Sequence, residues 1–183
     1  MNKNHFTKHT HYNQKLRESI ADEILKSTGF TKEDVVFDIG SGDGFYSSLF
    51  AKKAKKVIAI EAYKQNFEEP YYSEPNIEKV GQDVCEWIKR NDFSEATHVF
   101  FSNSFHDLGC QRTLLEKISK TICEGGHIDF VEFNLKANFG PPKSIRLPIN
   151  VLKPMVESYG FKEDKRIDFE THYFVSFSKN LLL

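Results

Sequence analysis

Twelve consecutive residues, Val35-Val36-Phe37-Asp38-Ile39-Gly40-Ser41-Gly42-Asp43-Gly44-Phe45-Tyr46, restrict what this chain can fold into more than any other stretch. Apolar residues around the single carboxylate of Asp38 read as a fully buried strand of a parallel sheet. Glycines at 40, 42 and 44 then supply a turn whose backbone can take positive φ and meet a ligand without a Cβ in the way. A tight strand-to-helix turn would use the same residues, so the meaning rests on the segment a fixed distance downstream.

That segment is Val57-Ile58-Ala59-Ile60-Glu61, a second apolar strand that ends in a carboxylate. The spacing is about that which sets an acid on a ribose in dinucleotide-binding folds. Glu61 is therefore a candidate ribose ligand, able to accept from both hydroxyls, with a solvated strand end as the alternative. In the dinucleotide fingerprint Gly-x-Gly-x-x-Gly/Ala, the third small residue permits close helix packing beside a pyrophosphate. Aligning Gly40 and Gly42 with the first two glycines puts bulky Phe45 at that third place, and Gly44 falls one residue early.

An Asp two residues before the first glycine and a third glycine two after the second is instead the pattern of class I S-adenosylmethionine-dependent methyltransferases. The chain resembles that family from about residue 35 to 178. The resemblance implies an α/β fold: a doubly wound, seven-stranded, mostly parallel Rossmann-like sheet with an antiparallel last strand and helices on both faces. It implies S-adenosyl-L-methionine as cofactor. Gly40, Ser41, Gly42, Gly44 and Phe45 would lie along its methionine and ribose, Asp38 would face the amino acid moiety, and Glu61 and Ala62 would hold the sugar. Gln82, Asp83 and Val84 would close over adenine, and Asn103 would complete the cofactor set. Asp83 is equally suited to N-cap the helix that carries Trp87 and Ile88.

With 183 residues, 39% hydrophobic, and seventeen phenylalanines, the chain can bury one substantial core. The division expected is an N-terminal lid or helical extension over 1–30 and a methyltransferase domain over 31–183. A net charge of −1 argues against a phosphate-tracking surface, so nucleic acid is not the expected partner. The dense basic run Lys52-Lys53-Ala54-Lys55-Lys56 reads as a solvated helix terminus. Cys85, Cys110 and Cys123 lack metal or redox spacing, and their odd number suggests reduced, buried thiols in a cytoplasmic protein. No apolar stretch approaches the roughly twenty residues needed to cross a bilayer.

Strand and helix patterns alternate along the chain. An amphipathic helix from about Asn13 carries Leu16, Ile20 and Ile24 and stops at Gly29. After the Glu61 strand come a helix over 63–72, a strand over 77–80, the Trp87 helix and a fourth strand over 97–102. Leu114, Leu115, Ile118 and Ile122 mark the next helix, and residues 127–133 a fifth strand. Cys123-Glu124-Gly125-Gly126 before it resembles the family's Lys-Pro-Gly-Gly turn with the first two residues replaced. A rigid, polar loop over 136–147, a helix over 150–159 interrupted by Pro154 and a hairpin-like pair over 161–178 complete the pattern.

The reacting centre of such a fold lies past the strand ends, where Asn103-Ser104-Phe105-His106-Asp107 falls. Methyl transfer from a sulfonium is an in-line displacement that alignment alone can accelerate, so no elaborate catalytic apparatus is required. For a hydroxyl acceptor a base is useful, and His106 has the right unperturbed pKa. Adjacent residues seldom point the same way, so no His106–Asp107 dyad is inferred. The segment lacks Asn/Asp-Pro-Pro-Tyr/Phe, with which family members hold exocyclic amines, and this disfavours a nucleobase amine and leaves a small-molecule acceptor. Tyr12, Phe105, Glu132 and Arg146 are candidate substrate contacts; Phe45, Tyr46 and Phe105 are candidates to shield the sulfonium. His5, His9 and His11 lack ligand partners at metal spacing, so no metal site is assigned. A binding module that senses S-adenosylmethionine without catalysis and a nicotinamide oxidoreductase are the competing readings.

Overall fold

The computed structural model describes residues 17–180. Residues 17–28 form α1, followed by β1 (Val35–Ile39), α2 (Phe45–Ala51), β2 (Lys56–Ile60), β3 (Ile77–Val80), α3 (Val84–Trp87) and β4 (His98–Ser102). Then come α4 (Gln111–Thr121), β5 (His127–Phe133), α5 (Ile149–Glu157), β6 (Phe161–Asp168) and β7 (His172–Lys179). The seven strands pair in the order β3-β2-β1-β4-β5-β7-β6. The first five are parallel, and β7 runs antiparallel between β5 and β6.

Because successive strand residues point to opposite faces, the near-continuous apolar strands feed two cores. Phe37, Ile39, Ile58, Ile60, Val99, Phe101, Ile128 and Phe130 pack with α3, α4 and α5 on one face. Val36, Val57, Ala59, Phe100, Val131 and Phe174 pack with α1 and α2 on the other. The alternation puts Asp38 on the α1/α2 face, beside α2, which decides the hydrogen bond it makes. Within α1, Ile20, Ala21 and Ile24 are buried against Phe30, Phe45 and Tyr46, so the described part of the N-terminal extension is a layer of the domain core.

Three local expectations differ from the structure. Residues 63–72 form no α-helix but two 3-10 turns, Lys64–Glu68 and Pro70–Ser73. Pro70 forces the preceding Glu69 into an extended conformation (φ −66°, ψ 143°), which stops a continuous helix. Pro154 does not interrupt α5, which runs through it. The carbonyl its missing N–H would have engaged belongs to Asn150, which is exposed to water. Two of the three cysteines are not reduced thiols: Cys85 and Cys110 form a disulfide with Cα atoms 5.7 Å apart. They are 25 residues apart, and both meet at the same core face, Cys85 in α3 and Cys110 at the head of α4. Cys123 stays a free thiol, but it is exposed and its Sγ reaches the Ala96 carbonyl at 3.2 Å. No described helix is long and apolar enough to cross a membrane.

Candidate functional site

The chain leaves β1 towards α2 on one face and leaves β4 towards α4 on the other, so the carboxyl ends of these neighbouring strands part to form a crevice. A cavity of about 860 Å³ opens there. Asp38 and the loop Gly40–Asp43 form one wall, Ser102, Asn103 and His106 another, and Val131, Phe133, Pro141 and His172 the far end. Arg17 and Ile20 of α1 close the side.

Gly40, Gly42 and Gly44 all have positive φ, at 69°, 57° and 84°, but only Gly42 faces open space. A Cβ on Gly40 would come within 2.6 Å of the Ser104 side chain, and one on Gly44 within 2.7 Å of the Tyr72 ring. Of the three, only Gly42 leaves bare backbone facing open space; the other two are bare so that the protein can pack against itself. Ser104 Oγ donates to the Ile39 carbonyl at 2.6 Å, and Tyr72 is hydrogen-bonded to Ser41 Oγ at 2.7 Å and donates to the Gly42 carbonyl at 2.8 Å. The loop is thus braced from both sides. Glu61 is buried, and its carboxylate accepts from the Gly42 N–H at 2.9 Å and the Tyr63 N–H at 2.8 Å. It couples the second strand to the glycine loop. Ala62 beside it is exposed.

Asp38 is buried and accepts from Ser47 Oγ at 2.6 Å. Burial pushes its pKa up to about 7 against the Ser47 hydrogen bond, and the nearby charges of Asp43 and Glu61 add to the rise. Asp43 carries a bidentate pair with Arg17, at 2.8 and 2.7 Å. Burial opposes its charge, but the guanidinium holds the carboxyl below its ordinary range. Asn103 sits at φ 51°, a conformation few non-glycine residues take, and its Oδ1 is buried in the cavity wall with no protein partner among the described residues. A buried, unpaired carbonyl oxygen at a cleft needs a donor, which a water or a ligand can supply. Together, the open Gly42, the Glu61 carboxylate, Asp38 and the Asn103 oxygen suit a polar, amine-bearing nucleoside such as S-adenosylmethionine.

Asp83 caps α3, with Oδ1 accepting from Cys85 N at 2.7 Å and Glu86 N at 3.2 Å, and its second oxygen takes no part in the cap. Gln82 is exposed and Val84 buried, and this segment does not line the cavity. Among the three aromatic residues expected near the sulfonium, only Tyr46 reaches the cavity wall. Phe45 is buried beneath the Arg17 guanidinium, 4.8 Å from its ring centroid. Phe105 is fully buried between Phe101 and Phe130, which removes it from the substrate contacts.

His106 lines the cavity, and its ring is oriented by Glu132 rather than by its chain neighbour. Nδ1 lies 2.8 Å from Glu132 Oε2, and the His106 backbone N–H donates to Glu132 Oε1 at 3.2 Å. Glu132 is completely buried, so it faces His106 and not a substrate. Burial opposes charge on His106, but the hydrogen bond and charge of Glu132, aided by Asp107, raise its pKa above the ordinary imidazole value. Arg146 is also not a substrate contact: it is buried, and its guanidinium donates to the carbonyls of Pro141, Asn134, Ala137 and Phe139 at 2.7 to 2.9 Å. It is the clamp of the 136–147 loop. Tyr12 lies outside the described residues.

Arg17 and His172 are among the cavity residues that were not anticipated. Arg17 shares a helix stripe with Ile20 and Ile24, so its spacing carried the signal. His172 comes from the start of β7, packed 4.1 Å from the Phe133 ring, and is placed there by the antiparallel register Phe133↔His172. Burial lowers its pKa to about 4, and Arg146 adds to the shift.

The model of the ribosomal RNA adenine dimethylase family matches residues 4–120. Ribosomal RNA small subunit methyltransferase A of Caldanaerobacter subterraneus subsp. tengcongensis is 31% identical over 72 residues, 38% of this chain and 27% of that protein. An uncharacterized protein of Methanocaldococcus jannaschii is 41% identical over 58 residues, 32% of this chain and 21% of that one. The chain thus spans about a quarter of the length of the curated relatives it matches. Among solved structures, an S-adenosylmethionine-dependent methyltransferase from Aquifex aeolicus superposes with a TM-score of 0.75 at 18% identity, covering 86% of this chain and 88% of that one. The N-methyltransferase NodS of Bradyrhizobium japonicum, solved with S-adenosyl-L-homocysteine, superposes at 0.63 and 14% identity over 93% and 86%. The fold is that of class I methyltransferases, and by its sequence the chain belongs to the ribosomal RNA adenine dimethylase family.

Proposed function

We propose that the chain is an S-adenosylmethionine-dependent methyltransferase, working in the cytoplasm on a small-molecule acceptor. The observation that carries this reading is the crevice wall in which Gly42 is open and Asn103 presents an unpaired buried oxygen, with Glu61 behind the wall holding the Gly42 N–H. In this reading Gly40, Ser41, Gly42 and Gly44 shape the loop along the cofactor. Asp38 and Asn103 face its polar end, Glu61 and Ala62 its sugar, and Gln82, Asp83 and Val84 its base. Arg17 and Ile20 of the N-terminal extension form the cavity edge, from which that extension would act as a lid. The cofactor supplies an electrophilic methyl group on sulfur; the protein's part is to hold that group in line with the acceptor and keep water out.

The acceptor end of the cavity supports a small molecule. It is formed by Phe133, Pro141, Val131 and two imidazoles, and the segment after β4 lacks the prolines that frame an amine-binding aromatic. The family match favours a second reading, in which the acceptor is RNA. Calorimetry with S-adenosylmethionine, S-adenosylhomocysteine and NAD tests the cofactor: binding of the first two and not the third is expected, and the reverse overturns the proposal. Labelled-methyl transfer offered in parallel to small-molecule acceptors and to small-subunit ribosomal RNA then separates the two acceptors. Tight binding with no transfer to either would leave a sensor.

A further inference from the structure

Binding of a methyl donor does not by itself call for the disulfide Cys85–Cys110. Yet the bridge joins the segment assigned above to the cofactor base and the one that leads out of the cavity wall. β3 and β4 are separated in the sheet by β2 and β1, but α3 and α4 leave them onto one face. Cys85 lies in the first turn of α3, where its N–H donates to the Asp83 cap at 2.7 Å. Cys110 is the N-cap residue of α4, and its carbonyl accepts from the Leu114 N–H at 2.8 Å.

Gln111, next in α4, donates from Nε2 to the Phe105 carbonyl at 2.7 Å. It ties the head of α4 to the turn Phe105–Asp107, from which His106 lines the cavity beside Asn103. A continuous set of contacts thus leads from Asp83 through the two sulfurs to the cavity wall. The bridge has work to do at both ends. With four residues, α3 cannot persist on its own hydrogen bonds and relies on the burial of Val84 and Trp87, the Asp83 cap and the bridge. Cys110 follows Gly109, which is exposed with open space around it, and a cysteine at this N-cap makes no side-chain hydrogen bond to the helix.

Neither cysteine is fully buried, which opens the bridge to a thiol from solution. In a cytoplasm kept reducing, a disulfide that forms is usually transient and redox-sensing. Resting on the proposed methyl transfer, we propose that Cys85–Cys110 is a thiol–disulfide exchange site that sets affinity for the adenosyl cofactor. The reductant is a low-molecular-weight thiol of the glutathione class. Its thiolate attacks one bridge sulfur, forming a mixed disulfide and freeing the other cysteine as thiolate. A second such thiol attacks the small-molecule sulfur of the mixed disulfide and frees the second cysteine. The bridge gains two electrons and two protons, and the two small thiols leave as one disulfide; the reverse exchange closes the bridge again. The oxidised chain holds both segments in place before the cofactor arrives, whereas the dithiol chain must order them on binding and binds more weakly. The coupling is reciprocal, so bound cofactor protects the bridge from reduction by the same factor.

The test uses the full chain. Calorimetry with S-adenosylhomocysteine compares the oxidised parent, the parent reduced by a trialkylphosphine, and the double variant Cys85→Ser with Cys110→Ser, each checked for folding by circular dichroism. The dissociation constant is expected to be about tenfold higher in the reduced parent and in the double variant, and the phosphine should leave that of the double variant unchanged. The parent is then equilibrated in glutathione buffers of graded potential, with and without saturating S-adenosylhomocysteine. Alkylation and mass spectrometry count the thiols that appear beyond that of Cys123. A tenfold coupling moves the midpoint about 30 mV more negative when the ligand is present. Equal affinities of the folded oxidised and reduced forms, a midpoint indifferent to ligand, or a bridge that opens only as the chain unfolds would overturn the inference and mark the bridge as a structural staple. Failure of the oxidised parent to bind S-adenosylhomocysteine would overturn the proposed methyl transfer, and this inference with it.

Discussion

The Glu61 carboxylate holds the backbone N–H of Gly42, nineteen residues earlier, at 2.9 Å, so the end of β2 fixes the one glycine of the loop that faces open space. Charge-assisted bonds to backbone N–H groups contribute about 1.5–3 kcal/mol each. Glu61→Ala should therefore loosen the loop as well as remove the proposed sugar ligand, and affinity for S-adenosylhomocysteine should fall by at least tenfold. Calorimetry measures it; unchanged affinity would mean that Glu61 only braces the turn.

Asp38 makes stability depend on pH with the opposite sign to most carboxylates. Its pKa is raised to about 7 in the fold, so between the unfolded value near 4 and pH 7 the native state binds the additional proton, and stability falls as pH rises. Asp38→Asn should unfold at higher urea concentration than the parent at pH 8, by on the order of a few kcal/mol, with little difference at pH 4. Parallel stability curves at the two pH values would contradict this.

His172 works in the other direction. Its folded pKa, about 4, lies below the unfolded value of about 6.5, so the neutral ring's contribution is present above pH 6.5 and is lost as pH falls towards 4. The ring sits against Phe133 and Thr171 Oγ1, with Arg146 as the positive group that discourages a second charge. Substitution by phenylalanine, which keeps the ring contact, should flatten that acid loss in thermal unfolding measured from pH 7 to 4.

The disulfide Cys85–Cys110 closes a loop of 25 residues in sequence separation, which includes all of β4 and the His106 turn. Restricting such a loop in the unfolded chain stabilises the fold by about 3 kcal/mol. Reduction, or the double change to serine, should lower the urea midpoint accordingly. It should also raise amide exchange in the His106 turn, whose C-terminal neighbour is then untethered. Identical midpoints with and without reductant would show that the bridge does not restrain the loop.

Apolar runs bounded by glycine turns made the doubly wound sheet legible in the amino-acid order, because burial on both faces demands those runs and the turns admit few alternatives. The same local chemistry exposed Asp38, the glycine loop and Glu61, all within 24 residues. It failed where the deciding partner is distant. Glu132 meets His106 across 26 positions, and His172 reaches Phe133 across 39, through strand registers no local pattern encodes. Phe105 and Phe45 looked like site residues beside the loops, yet apolar area is stabilised most by complete burial, and both rings went into the core. Arg146 was legible as a charge but not as a clamp, since four carbonyls of its own loop converge on it only once that loop has folded. The amino-acid order by itself determined the sheet, the glycine turn and the kind of ligand it faces, because these arise from neighbours along the chain. The tertiary structure alone decided which imidazole is oriented and which stays neutral, because those properties depend on buried charges that sequence distance conceals.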